Sequence, residues 1–382
     1  MSEYRLPKRM RTDLSSRFIK MSQAKTSSKY EVLNFGIGED TSLLNKSTVD
    51  LIYKELNTNE SLGYSDNICP ELVEAFSSYA KRNYGVELKE ENIAITMGIK
   101  SALNLLAILL VDSYSNVLVT SPGYNIFKRS AELMNGRIDE YNLLDNEKTL
   151  IDYLNSSEKG YQIIELNYPN NPTGKSVTNS FYVELEEYAK KHNSIIINDG
   201  AYIDYSYFSK PISLLSQGLK GKLELYSASK SFGLTGLRVG IIAGDKDLIK
   251  KFKILQDQYD SGQARPFLKT YAALLNDNDT NYQKMKYYRR YYQFKSVVSK
   301  YDIYLDEIDS TFYAFFKMPE WMSKLGQDAM EVALKLKSEY SLIFIPYVVN
   351  GQNYLRASMT YKDESDIKKL DTRLNMIRNN ES

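Results

Sequence analysis

The chain has 382 residues, enough for one large domain and a smaller one at roughly 150 residues per domain, and 43% of them are hydrophobic. Its 49 basic and 48 acidic residues leave a net charge of +1, which argues against bulk capture of nucleic acid or anionic membrane and favours a small-molecule partner. A single cysteine, Cys69, excludes an intrachain disulfide framework and fits a reducing cytoplasm, and a single histidine, His192, leaves too few ligands for a multi-histidine metal site. No apolar run approaches the ~18 residues of a membrane span, and MSEYRLPKRMRTD lacks the apolar core of a signal peptide, so neither export nor membrane insertion is expected.

Residues 1–30 are polar and basic without a sustained period, and read as an arm or short helix against the body or a partner subunit, or as a partly disordered terminus. VLNFGIGED follows, pairing an apolar run with Gly36 and Gly38, which permit a turn with exposed N–H groups. STVDLIYKELN is helix-like, a loop carries Tyr64, and the spacing predicts an amphipathic helix from about Pro70 to Tyr84. NIAITMGIKSALNLLAILLVD reads as strand, turn at Gly98 and apolar helix. Gly98, Ile99 and Lys100 at that helix start offer amides and a dipole to a phosphate, or merely a tight connection. NVLVTSPGYNIF is a buried strand with Ser121 to Tyr124 in the loop after it; the Tyr124 ring can lie on a planar heterocycle or simply pack.

YQIIELNYPNNPTGKSV, SFYVELEEYAKKH and NSIIIND continue as strand, loop, helix and strand. Alternation without hairpin spacing predicts an α/β fold, a mostly parallel central sheet with helices on both faces and ligands beyond the carboxyl ends of the strands. His192 in AKKHNS is expected on the surface, in the last turn of its helix. NYPNNPTG is a stiff loop able to hold Asn171 at one point. Asp199 and Tyr202 in DGAY can face a ring nitrogen and a ring hydroxyl, though Asp-Gly alone also suits a hairpin turn. In SASKSFGLTGLRVG, Lys230 follows the strand-like run KLELYSAS, and Arg238 precedes a second such run, VGIIAG. A lysine amine forms a Schiff base with an aldehyde, while hydroxyls and a guanidinium hold a dianionic phosphate; pyridoxal 5'-phosphate carries both groups. From about Asn281 a long polar helix, the strand-like runs IYLDEI and FYAFFKM, another helix, LIFIPY and NYLRASM suggest a separate, smaller α+β domain. The domains are therefore read as 1–47 (arm and part of the small domain), 48–280 (large) and 281–382 (small C-terminal). Arg356 on an apolar strand asks for a carboxylate partner.

SASK followed by Arg238, with NNPTG, DGAY, SPGY and LRAS in order, resembles the class I/II aminotransferases of fold type I over about Val32 to Met359. The resemblance implies a pyridoxal-phosphate enzyme moving an amino group from an amino acid to a 2-oxo acid, acting as a homodimer with shared active sites; the cysteine count adds the expectation of a cytoplasmic setting. It implies a Schiff base at Lys230, Asp199 against the pyridine nitrogen, Asn171 and Tyr202 on the phenolic oxygen, and Tyr124 stacked on the ring. Phosphate falls to Ser227, Ser229, Arg238, the amides of Gly98, Ile99 and Lys100, and Tyr64 from the other subunit; the substrate carboxylate falls to Arg356, with Asn171 and the backbone at Gly38. Cys69, Val73, Tyr347 and Gly200 depart from the family's usual residues. GIGEDTSLL and LGYSD resemble the LL-diaminopimelate branch, and SKSFGLTGLRVG is equally like histidinol-phosphate and aromatic aminotransferases, so the substrate stays open. The same residues also suit a lyase, decarboxylase or cyclase on this scaffold, and more remotely a regulatory module.

Overall fold

The computed structural model describes residues 17–40, 46–144, 149–277 and 281–380; most of the expected arm, and Thr41 to Leu44 of GIGEDTSLL, lie outside them. The chain forms two compact units. One comprises the described residues up to Gly38, Arg289–Glu307 and those from Tyr313 on; the other comprises Glu39–Tyr288 and Ile308–Phe312. In chain order come α1 (Arg17–Gln23), β1 (Leu33–Asn34), α2 (Lys46–Leu56), α3 (Pro70–Tyr84), β2 (Ile93–Thr96), α4 (Gly98–Leu110), β3 (Asn116–Ser121), α5 (Ile126–Leu133) and β4 (Arg137–Asn142). Next are α6 (Leu150–Ser156), β5 (Ile163–Leu166), α7 (Asn179–His192), β6 (Ile195–Asp199), β7 (Lys222–Ser227), α8 (Ala228–Ser231), β8 (Gly240–Gly244), α9 (Lys246–Gln256) and α10 (Arg265–Asp277). The remainder are α11 (Asn281–Val298), β9 (Tyr313–Lys317), α12 (Ala329–Tyr340), β10 (Leu342–Ile343), β11 (Ile345–Val349), β12 (Gln352–Ser358) and α13 (Ser365–Asn380).

The larger unit holds a sheet of seven strands ordered β2-β8-β7-β6-β5-β3-β4. β8 runs antiparallel to β2 and β7, and every other pairing is parallel. Strand order reverses between β3 and β5, so the loops after these two strands flank a switch point, where open α/β sheets bind ligands. Side-chain alternation assigns each strand residue a face. Leu118, Ile164, Leu166 and Ile196 join Leu154 of α6 and Tyr182 and Leu185 of α7 in one apolar cluster. Val119, Glu165, Ile197 and Asp199, offset by one residue, therefore serve the opposite face. A second cluster packs Leu72, Phe76 and Tyr79 of α3 and Leu268 and Tyr271 of α10 around Ile95 and Ile241.

Local chemistry sets the helix ends. Pro70 opens α3, where a missing N–H costs nothing, and Gly85 closes it at φ 70° while its amide donates to the carbonyls of Ala80 and Lys81. Thr178 caps α7 by accepting from the Phe181 amide, and Lys190, Lys191 and His192 complement the dipole in its last turn. His192 is half-buried rather than a free surface residue, because its ring stacks on Tyr188 at 4.2 Å.

The smaller unit has the antiparallel sheet β11-β12-β9 and the parallel pair β1 and β10. IYLDEI, expected as a strand, forms none: the Asp306 carbonyl is taken by the Tyr291 hydroxyl at 2.9 Å instead of by a ladder. β4, which is charge-rich and lies at the sheet edge, had no strand signal in the sequence. Among the described residues no helix is long and apolar enough to cross a membrane, and no group of three or more His, Cys, Asp or Glu could hold a metal ion.

Candidate active site

The larger unit gathers most of the residues singled out from the sequence at the carboxyl ends of its parallel strands. β7 ends at Ser227, and the chain turns at once into α8, which carries Lys230 in its single turn. The Ser227 hydroxyl accepts from the Ser229 amide at 3.2 Å and so caps that turn. The lysine backbone is held from the neighbouring loop: the Tyr205 hydroxyl donates to the Lys230 carbonyl at 2.8 Å, and the Ser231 hydroxyl donates to Asp204. Asp204 also accepts from Tyr79 at 2.9 Å and Tyr84 at 2.5 Å, which ties α8 to α3 through one buried carboxylate. Lys230 Nζ lies 5.9 Å from the centre of the Tyr202 ring.

Asp199 ends β6, 2% exposed. Its Oδ1 accepts from the Ala201 amide at 3.1 Å, and its backbone carbonyl accepts from Asn167 Nδ2 at 3.0 Å. The other end of Asn167 accepts from the Asn171 amide at 3.1 Å, so one asparagine positions both the aspartate and the asparagine expected to face a ligand. Burial raises the Asp199 carboxyl to about 6, opposed by the Ala201 amide and the charge of Lys230. The loop from Asn167 is locked further: Asn170 Nδ2 donates to the Pro122 carbonyl at 3.1 Å, and Asn170 Oδ1 accepts from the Thr173 hydroxyl at 2.7 Å. The first of these bonds joins the loops after β3 and β5 across the switch point, where Tyr124 lies half-buried. Gly200 turns the chain so tightly that a Cβ would stand 2.9 Å from the Leu225 carbonyl.

At the start of α4, Gly98 has φ 71°, and a Cβ on it would sit 2.7 Å from a terminal nitrogen of Arg238. A Cβ on Gly240 would meet Thr96 Oγ1 at 2.9 Å and the Ile99 amide nitrogen at 3.0 Å. The two glycines thus let a guanidinium and the amide end of a thirteen-residue helix share one spot, an arrangement that receives a dianion. Ile99 is buried and the Lys100 side chain is exposed, so Lys100 offers its amide there. A buried carboxyl for a pyridinium, a lysine amine and an anion cradle fit the pyridoxal 5'-phosphate implied by the sequence. Tyr64 is not brought into this group: it is 78% exposed, and its carbonyl accepts from Arg265 at 3.0 Å.

The smaller unit holds Gly38 and Arg356. Arg356 is 1% exposed on β12, donates to the Gly36 carbonyl at 2.5 Å, and has its guanidinium 4.2 Å from the Tyr313 ring centre. A Cβ on Gly38 would fall 2.0 Å from the Tyr313 hydroxyl, so the Tyr313 side chain occupies the space beside this glycine. Sequence reading missed Asn167 and Tyr205, which touch the backbone of Asp199, Asn171 and Lys230, and Asp204, which accepts from the Ser231 hydroxyl beside Lys230. Their one signal is adjacency, because all three sit inside NYPNNPTG or just beyond DGAY.

The sequence profile of aminotransferase class I and II matches residues 30–374. The LL-diaminopimelate aminotransferase of Methanocaldococcus jannaschii is 29% identical over 92% of this chain and 88% of its own length. The probable aspartate aminotransferase of the same organism is 28% identical over 89% of this chain and 91% of its own. In three dimensions the N-succinyldiaminopimelate aminotransferase of Mycobacterium tuberculosis superposes with a TM-score of 0.88 over 98% of this chain and all of its own, at 18% identity, a likeness of fold.

Proposed function

Because the chain belongs to the aminotransferase class I and II family and is a pyridoxal-phosphate-dependent aminotransferase, we propose that its chemistry runs on Lys230, with Asp199 as the partner of the cofactor's ring nitrogen. Bound there, pyridoxal 5'-phosphate supplies an aldehyde to take the amino group and a protonated ring to accept the electron pair at the substrate Cα. The observation that carries the reading is one amine, Lys230 Nζ, 5.9 Å from the Tyr202 ring centre, on a backbone anchored by Tyr205 and with its charge acting on buried Asp199. The Lys230 amine would hold the cofactor's aldehyde group and, as a free base beside the substrate, would carry a proton from Cα to the cofactor. Asp199, shielded from water, attracts a ring-nitrogen proton far more strongly than an exposed carboxylate would.

Asn171 and Tyr202 hold the phenolic oxygen and Tyr124 lies on the ring. Ser227, Ser229, Arg238 and the amides of Gly98, Ile99 and Lys100 hold the phosphate. Arg356 holds the substrate α-carboxylate with its planar fork, assisted by Asn171 and the backbone at Gly38, and thereby selects the bond that breaks. The substrates are an amino acid and a 2-oxo acid; the names of the relatives make LL-diaminopimelate and aspartate the first donors to try.

The reading includes a homodimer in which Tyr64 reaches the phosphate of the other copy. Val49, Tyr53 and Leu56 of α2, with Tyr64 and Ile68, expose apolar surface that a second copy would cover. It also includes a cytoplasmic setting, which suits a chain whose one cysteine is buried and free. Lys230→Ala is expected to abolish turnover, and to leave no borohydride-reducible link between cofactor and protein, in a chain that still folds. A reducible link that survives the substitution would remove Lys230 from this role.

A further inference from the structure

β5 carries a carboxyl group that the reaction as described does not use. Glu165 is 4% exposed, and its Oε1 has no hydrogen-bond partner among the described residues. Register fixes its surroundings. It pairs with Val119 of β3 on one side and Ile197 of β6 on the other, both buried, on the sheet face that also carries Asp199. Asp199 stands two residues further along β6, roughly 6 to 7 Å toward the carboxyl end. An isolated carboxylate in such a place is far more costly than a neutral acid, and burial together with the charge of Asp199 holds the Glu165 carboxyl well above the usual carboxylate range. β3 contributes Val117, Val119 and Ser121 to this face and β6 contributes Ile195, Ile197 and Asp199, so Asp199 is the charge from these strands that acts on Glu165. On Asp199 itself act the Lys230 ammonium and the Ala201 amide.

An acid O–H with no competing partner orients toward the nearest anion, directly or across a water, and a dipole so oriented favours the ionised form of that anion. We propose that Glu165 is a positioning residue for the cofactor: a carboxylic acid kept neutral behind Asp199, whose O–H dipole holds Asp199 ionised to receive the ring nitrogen. The position is otherwise suited to an aliphatic side chain, flanked as it is by Val119 and Ile197. A buried polar group without a fixed partner, one step from a ligand-facing carboxylate, is the kind of local cost that functional sites carry.

The proposal rests on Asp199 being the ring-nitrogen partner, and its test separates the two claims. Uptake of pyridoxal 5'-phosphate by the cofactor-free protein is followed by the absorbance of the bound cofactor between about pH 5 and about pH 8.5. Uptake should fall off on the acid side as Asp199 takes a proton. In Glu165→Leu, which keeps bulk and loses the dipole, this limb should move up by about half a pH unit, equivalent to roughly threefold weaker uptake on the limb. In Glu165→Gln, neutral and still a donor, the limb should stay with wild type. The phosphate group's own titration near pH ~6 is common to all the proteins and cancels in the comparison.

Infrared spectra of the cofactor-free protein should show the carbonyl stretch of a neutral carboxylic acid that disappears in Glu165→Gln. A Glu165→Leu limb that coincides with wild type, a Glu165→Gln limb that moves as far as the leucine variant's, or a missing neutral-acid band would each overturn the proposal. Should the leucine variant not fold, the glutamine limb and the infrared band still decide. An acid limb unchanged in Asp199→Asn would instead overturn the assignment of Asp199, on which the proposal depends.

Discussion

Two buried glutamates on opposite faces of one sheet differ in how their oxygens are partnered. Glu224 on β7 accepts from Asn198 Nδ2 at 2.8 Å, the Tyr226 hydroxyl at 2.6 Å, the Leu214 amide at 3.2 Å and the Ser213 hydroxyl. Glu165, two strands away, has Val119 and Ile197 at its paired positions and an Oε1 without a hydrogen-bond partner among the described residues. Burial raises both carboxyls, but at Glu224 four hydrogen bonds pull the other way. Depth alone therefore does not say what a buried acid is for. A fully satisfied one knits loop to strand; an unsatisfied one beside Asp199 costs stability unless something is gained at the ligand.

The largest effect expected from this contrast is at Glu224. Replacing it with leucine removes one acceptor from four donors, and the cofactor-free protein should lose about 3 kcal/mol or more in denaturant unfolding. A loss under about 1 kcal/mol would mean that the network carries little and that the two glutamates are alike.

A third buried charged side chain sharpens the contrast from the smaller unit. Arg356→Lys keeps the charge and loses the planar pair of bonds, so kcat/KM for amino acids should fall by about 2 to 4 kcal/mol, roughly 30- to 1000-fold. Cofactor absorbance should hardly change. Turnover within about threefold of wild type would rule out a carboxylate role.

Asp199 lies between the extremes, with one amide donor and one lysine charge. Its rise from 3.8 to about 6 costs the cofactor-free fold about 3 kcal/mol near neutral pH, as an upper figure. The sign follows from the raised value: protonation favours the folded state, so this contribution is complete below about pH 4 and is lost as pH climbs to about 6. Asp199→Asn should therefore stabilise the cofactor-free protein at about pH 8 and lose that advantage by about pH 4 in thermal melts. A gain that is the same at both pH values would show that charge is not its source.

The smallest effect is at Glu165 itself. Glu165→Gln should raise the stability of the cofactor-free protein by about 1 kcal/mol near neutral pH, where the unfolded glutamate is ionised and the folded one is not. Destabilisation on that scale would imply a partner for the carboxyl that the fold does not display.

Local chemistry was legible in the residues alone. Turn formers in NYPNNPTG and DGAY, the glycine before a helix at Gly98, and a lysine directly after a buried strand each have a short-range physical meaning, and the structure sets Lys230 near Tyr202 and Gly98 against Arg238. The strands β5, β6, β7 and β8 and the helix α3 were legible for the same reason, since apolar runs and caps act within a few residues. β4 was not, because an edge strand needs little apolar content, and IYLDEI misled because a strand pattern has meaning only where a partner strand is free to pair. It took the assembled fold to show that Asn167 serves both Asp199 and Asn171, that Asp204 collects Tyr79, Tyr84 and Ser231, and that Glu165 shares a face with Asp199 while Glu224 does not. Those facts depend on register and crossover between strands far apart in the chain, and hydrogen bonds across such distances leave no periodic trace in the sequence.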